Sequence, residues 1–231
     1  MTWTVTALGT AGTLSTVTSL TKSGLTINIG DGIAVFVEYS DFQTDTISVT
    51  DNASPPNTYI PVDNVFDASG QLLASFYCAS CAHSATSITA SYATTPVIQN
   101  FGVIKFTNSV AGTPTLDGHS GLDNSTGTST PNSGTGTATN GDLVLTGVSS
   151  DGTVNVGYSS LAITGVTSPT IQNNNDANAG YADGSGVTTT TGSVTSTWTV
   201  TGGAHAFVVL QMFFKPPSAA PSGVPVWLYT A

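Results

Sequence analysis

The residues of this 231-residue chain that could do chemistry are two cysteines, three histidines and thirteen carboxylates. The cysteines fall as Cys78-Ala79-Ser80-Cys81. A C-x-x-C pair works in redox exchange where a helix N-terminus lowers the thiolate pKa, and no βαβ pattern surrounds this one. A structural zinc site needs about four ligands, and only His83 is near in sequence. The expectation is a local disulfide, Cys78 to Cys81, closing a turn between strands of an extracellular chain. Its short loop would add modest stability. Free thiols are the second reading.

His119 stands in Asp117-Gly118-His119-Ser120-Gly121. The nucleophile elbow is G-x-S-x-G on a strand-to-helix turn, and here the second glycine is misplaced. A triad also needs a base oriented by a carboxylate, so His205 and Asp142 would have to meet through the fold. Glu38 is the only Glu and lies in an apolar run, which is a poor start for a glycosidase carboxylate pair. Two loops gather oxygen donors: Asp63, Asn64, Asp67 and Ser69, and Asn173, Asn175, Asp176, Asn178 and Asp183. Neither has EF-hand spacing, and Asn and Asp are ordinary turn residues. No catalytic residue, cofactor or metal is expected. Asn52-Ala53-Ser54 and Asn124-Ser125-Thr126 are N-glycosylation sequons, of a kind that arises by chance in a chain this rich in Ser and Thr.

Composition narrows the setting. Only 7% of residues are charged, against about 25% in ordinary globular domains. Solubility must come from Thr, Ser, Asn and Gly. The formal charge is -10, and Lys22, Lys105 and Lys215 are the only cations apart from histidine. Phosphate binding needs Lys and Arg, so nucleic acid and anionic membrane are excluded as partners. Residues 1–20 lack the basic and apolar regions of a signal peptide, and no apolar run reaches the ~20 residues of a membrane span. The expected location is extracellular, on a cell surface or a virion.

The elements that must position these residues are strands. Period-two alternation dominates, over residues 3–8, 14–20, 25–29, 46–51, 58–62, 71–77 and 87–92. Residues 33–39 are continuously apolar, as in a strand covered on both faces. Residues 97–106 contain Gly102, a candidate bulge or bend. Residues 111–141 hold almost no large apolar residue after Leu122 and predict a long surface loop. A second polar loop is expected at 173–180. Strands resume over 143–148, 154–163, 187–200 and 205–214. No exact internal repeat is visible. The expectation is one all-β, jelly-roll-like two-sheet β-sandwich over residues 1–215, a Pro-rich spacer over 216–223, and a strand arm over 224–231.

The order of these motifs resembles a known group. Gly30-Asp31 precedes an apolar strand, then come Ser48-Val49-Thr50-Asp51, a turn, and Asn57-Thr58-Tyr59. Ser75-Phe76-Tyr77, Ile88-Thr89-Ala90-Ser91-Tyr92 and Ala206-Phe207-Val208-Val209-Leu210 follow. Over residues 14–215 this resembles the jelly-roll-like β-sandwich domains of uncharacterised bacterial surface and phage-associated proteins. The resemblance implies a fold and carries no catalytic signature. The terminal arm is similar in architecture to donor-strand fibre subunits.

These readings converge on a structural subunit of an extracellular filament or virion surface. Copies would assemble head-to-tail by strand addition, with Val224, Val226, Trp227, Leu228 and Tyr229 as the arm, or Trp3 and Val5 at the other end. Trp198 reads as core. The alternative is a glycan-binding, adhesin-like module in which exposed aromatics stack on sugars.

Overall fold

A computed structural model describes residues 2–40, 46–68, 70–96, 98–150, 156–175 and 180–218. The first half runs β1 (Trp3–Thr13), β2 (Ser19–Ile27), β3 (Gly32–Ser40), β4 (Ile47–Asp51), β5 (Ile60–Phe66), β6 (Gln71–Cys78), β7 (Ala85–Tyr92) and β8 (Ile98–Asn108). The second runs β9 (Thr115–Thr128), β10 (Gly136–Ala138), β11 (Leu143–Ser150), β12 (Gly157–Ile163), β13 (Thr170–Asn175), β14 (Tyr181–Val187), β15 (Gly192–Val194), β16 (Ser196–Thr201) and β17 (His205–Lys215). The described residues contain no helix long and apolar enough to cross a membrane.

The all-β sandwich expected from sequence is present, but it is doubled. One five-stranded sheet has the order β1-β8-β3-β6-β5 and the other β13-β14-β11-β17-β9. Read from the opposite end, the second order is the first with each strand replaced by its counterpart in the other half. These two inner sheets pack face to face. Outside the first lies β2-β7-β4, and outside the second lie the pairs β10-β15 and β12-β16. The stack has four layers and three apolar seams.

Strand β3 shows why. Ile33, Val35, Val37 and Tyr39 point into the outer seam of the first half. Ala34 and Phe36 point into the central seam, against Leu143, Leu145, Leu210 and Phe214. Side chains alternate between faces along a strand, so a strand between two seams is apolar on both faces, here with Glu38 as the acidic exception in β3. Strand β17 does the same, sending Phe207, Val209 and Phe213 outward and Val208, Leu210, Met212 and Phe214 to the centre.

The duplication is written locally in one turn. Asn28 N–H donates to Asp31 Oδ2 at 2.8 Å and Asp31 N–H to the Asn28 carbonyl at 3.1 Å. Thr139 N–H donates to Asp142 Oδ2 at 2.7 Å and Asp142 N–H to the Thr139 carbonyl at 3.1 Å. Gly30 and Gly141 occupy the turn at φ 89° and 91°, where a side chain would be strained.

Three sequence expectations need correction. The loop predicted over 111–141 contains β9, whose fourteen residues pair along β17. Its glycines are required by the packing: a Cβ on Gly121 would fall 2.3 Å from Leu210 Cδ2 and 2.4 Å from Val65 Cγ2. Gly102 is no bulge, because β3 pairs with β8 without a break around it. A Cβ there would lie 2.1 Å from Asp183 Oδ2, so its role is to let the two inner sheets approach. The chain also does not make one two-layered sandwich over 1–215, since each half closes its own outer seam.

Candidate functional site: an open slot in the first sandwich

In the outer sheet β2-β7-β4 the strand β4 is an edge among the described residues, paired there with β7 alone. The strand that follows it, β5, joins β6 in the inner sheet. Between β4 and β5 the outer seam opens into a slot of about 500 Å³, lined by Ile47, Val62, Leu72, Ala74 and Phe76 with Asp63 at its rim. Leu72, Ala74 and Phe76 belong to the core of this half and are only 3%, 5% and 5% exposed, so the slot narrows onto core side chains that their neighbours already largely cover. The two walls differ. Pro61 removes one backbone donor from β5, and a register shift between Pro61 and Asp63 bends it. Such features keep an edge from recruiting strands. The edge of β4 carries neither.

The central seam holds two strongly perturbed carboxyls. Glu38 is fully buried, accepting from Gln71 Nε2 at 3.0 Å and Asn100 Nδ2 at 3.1 Å. Gln71 Nε2 also reaches Ser149 Oγ across the seam. Burial pushes the Glu38 carboxyl up to about 8, against the pull of these hydrogen bonds. From the other half, Asp183 accepts from Tyr181 Oη at 2.7 Å and Asn173 Nδ2 at 2.9 Å, and burial lifts it to about 7. A carboxyl that costs too much to ionise takes up a proton instead. Both are therefore largely neutral hydrogen-bonding groups in mildly acidic solution. Their partners bridge the sheets, Gln71 reaching Ser149 and Asn173 Nδ2 donating to the Val103 carbonyl at 3.4 Å.

The residues singled out for catalysis are separated. His119 Nδ1 meets Asp63 Oδ2 at 2.9 Å, between β9 and β5. Ser120, the next residue, points to the other face and accepts from Gln211 Nε2 at 2.7 Å. His205 and Asp142 lie at opposite ends of β17, since Leu143 pairs with Phe214; ten residues of strand span ~33 Å. Asp142 instead adjoins Asp117, which Lys215 contacts. The Lys215 ammonium holds Asp117 low, while burial and then the Asp117 charge raise Asp142. Sequence reading missed this carboxyl pair, because 25 residues and a strand separate its members.

The oxygen-rich clusters also disperse. Asp67 caps the turn to Gln71 N–H at 2.9 Å, Asp183 sits in the central seam, and Ser69, Asp176 and Asn178 lie outside the described residues. Among the described residues no group of three or more His, Cys, Asp or Glu is placed to hold a metal.

Cys78 and Cys81 are free thiols, their sulfurs 3.5 Å apart. The expected disulfide is not formed here; the turn brings the pair together without bonding it. The N-terminal strand is no free arm either. Trp3 is 9% exposed, packs on Phe106, and donates its indole N–H to the Gly141 carbonyl at 2.8 Å. Val5 packs against the same central core. A strand so placed joins the two halves. Val224, Val226, Trp227, Leu228 and Tyr229 lie outside the described residues.

The two sequons differ. Asn124 Nδ2 donates to the carbonyls of Leu122 (3.2 Å) and Asn132 (2.9 Å), so a glycan there would displace one bond. Asn52 Nδ2 makes one bond, to Thr86 Oγ1 at 2.9 Å, and keeps a hydrogen to spare. Trp198 is core as expected, fully buried in the outer seam of the second half.

Comparison of the chain with protein-family models, with curated proteins and with solved structures finds no match.

Proposed function

We propose that this protein is a structural subunit of an extracellular filament or virion surface, and that copies join when the C-terminal arm of one fills the slot between β4 and β5 of the next. The slot is the observation that carries the reading. It offers one open strand edge and a floor of Leu72, Ala74 and Phe76, which is what an added strand needs: main-chain hydrogen bonds from the edge and sockets for alternate side chains. In a jelly roll the fifth strand would extend the outer sheet beside the fourth, so the arm would supply the position that β5 leaves vacant. Each half of the chain is on this reading a jelly-roll-like unit. The apolar residues Val224, Val226, Trp227, Leu228 and Tyr229 follow a Pro-rich spacer, a composition that favours extended chain.

A glycan-binding reading gains less. Of the three tryptophans, Trp3 and Trp198 are buried, which leaves stacking on sugars among the described residues chiefly to Phe66, 38% exposed.

The test is negative-stain electron microscopy of concentrated full-length protein beside a chain lacking residues 219–231. Regular filaments or lattices from the first and dispersed particles from the second are expected. Assembly that survives the deletion removes the arm mechanism, and dispersed particles from both remove the structural reading.

A further inference from the structure

We infer that Cys78 and Cys81 form a redox-active dithiol, and that its fitting oxidant is a small, positively charged disulfide. The pair sits at the floor of a second groove, of about 700 Å³, at one end of the first sandwich. Pro55, Pro56, Ile29 and Ile60 line its walls, with Ile29 71% and Ile60 45% exposed. Cys78 is 6% and Cys81 1% exposed, so a short aliphatic reagent entering along these apolar walls meets Cys78 first.

The two cysteines are not equivalent. Cys81 Sγ–H donates to Cys78 Sγ. This bond, aided by the Ser80 backbone, lowers the Cys78 thiol, while the same bond and burial raise Cys81. Cys78 is thus the sulfur that ionises first, and Cys81 holds its proton until later. That order suits thiol–disulfide exchange. The Cys78 thiolate attacks one sulfur of the reagent RS–SR, the S–S bond breaks, and RS⁻ leaves with the electron pair. Cys81 then gives up its proton and its thiolate attacks Cys78 Sγ in the mixed disulfide, expelling the second RS⁻. Two cysteine thiols are oxidised, one reagent disulfide is reduced, and the two protons released end on two RSH.

The turn is built to hold the sulfurs close. Cys81 N–H donates to the Asp31 carbonyl and Gly30 N–H to the Cys81 carbonyl, both at 2.8 Å. His83 N–H donates to Asn57 Oδ1 at 2.9 Å, and Asn57 Nδ2 to Asp51 Oδ2 at 2.6 Å. Closure needs the sulfurs to move from 3.5 Å to about 2.05 Å, a rotation of side chains on a fixed turn.

The preference for a cation comes from the surroundings. The carboxylates of Asp51 and Asp31 both act on Cys81, and Asp51 on Cys78. Lys105 stands 3.4 Å from Asp31 and offsets part of that charge, while Asp51 is bonded only by neutral donors among its described contacts. The chain as a whole carries -10. Cystamine, a dication, is drawn to this site, and oxidised glutathione, an anion, is repelled.

The experiment follows native full-length protein by mass spectrometry during exposure to cystamine or oxidised glutathione. The wild type should lose two hydrogens without retaining an adduct. Cystamine should react at least about tenfold faster at low salt, with the ratio shrinking as salt rises. Cys81→Ser should accumulate a cysteamine adduct on Cys78, and Cys78→Ser should react at least about tenfold more slowly. Rapid alkylation and peptide mapping of the wild type locate the transient adduct without relying on either variant. Thiols that react only in denaturant, or an adduct carried first by Cys81, overturn the redox assignment. Equal rates with the two disulfides overturn the charge preference.

Discussion

The two halves share a strand order and close their cores by different means. In the first, the outer layer is one ladder, β2-β7-β4, whose middle strand sends Ile88, Ala90 and Tyr92 into the seam. In the second, the layer is split into β10-β15 and β12-β16, and Trp198 fills the seam, packed edge-on by Tyr158 with centroids 5.7 Å apart. The first half leaves a slot beside β4. In the second, β12 lies against β13, and Val166 and Ile171 pack onto the core. A common topology therefore does not dictate a common surface. One half places its apolar side chains on a regular ladder and stays open at the edge, and the other relies on one large aromatic to hold separate pieces together.

The largest expected effect bears on the seam that the halves share. Glu38 comes from the first and Asp183 from the second, and burial holds them at about 8 and about 7. Both folded values lie above the ordinary carboxylate range. Their contribution to stability is therefore complete below about pH 4 and declines with rising pH until each folded value is passed. Each pH unit by which a folded value exceeds the unfolded one is worth about 1.4 kcal/mol, so the sum is on the order of several kcal/mol. Thermal unfolding should show a melting temperature that falls from mildly acidic solution to about pH 8 and then levels. Glu38→Gln should abolish the last part of that fall, above the Asp183 value, and Asp183→Asn should make the earlier part shallower. A melting temperature flat across this range would show that water already reaches the seam.

Trp198→Ala should cost about 3–5 kcal/mol, measured by denaturant unfolding. Ile88→Ala, in the ladder of the first half, should cost less, about 2–4 kcal/mol. Equal costs would erase the contrast between one aromatic plug and a distributed core. The Trp198 indole N–H is buried and finds no partner among the described residues, so Trp198→Phe should retain most of the stability.

Gly102→Ala tests the close approach of the sheets. The new methyl meets Asp183 and Tyr181, and a loss of about 1–3 kcal/mol is expected from overpacking. Because the seam belongs to both halves, hydrogen exchange should quicken in β3 and β11 together. Quickening confined to one half would mean that the sandwiches open independently.

The smallest effect concerns the duplicated turn. Asp31→Ala and Asp142→Ala each remove a side-chain acceptor from a backbone N–H, worth about 1 kcal/mol. Asp31 also loses Lys105 at 3.4 Å. Asp142 sits beside Asp117, so its removal relieves a repulsion. Asp142→Ala should therefore be the milder of the two in chemical denaturation.

Much of the fold was legible in the sequence. The alternation at 87–92 sets a half-buried strand, and the unbroken apolar run at 33–39 sets a strand with two covered faces. Trp198 among alternating threonines is core. These follow from local rules, because side-chain direction and charge need no knowledge of distant residues. What escaped was non-local. Strand β9 has almost no apolar signal, since its glycines and hydroxyls are chosen for backbone pairing with β17 and for clearance from Leu210 and Val65. The duplication was hidden because the halves preserve a turn and a strand order, not side chains. Trp3 looked like a free end and is a joint between halves. The buried Glu38 and Asp183 could be seen as residues but not as neighbours of one seam, for only packing two sheets face to face removes both from water. Local residue chemistry was enough to set strands, turns and charge. Which faces meet, which edge stays open, and that Cys78 and Cys81 stand as thiols 3.5 Å apart were left to packing between residues far apart in the chain.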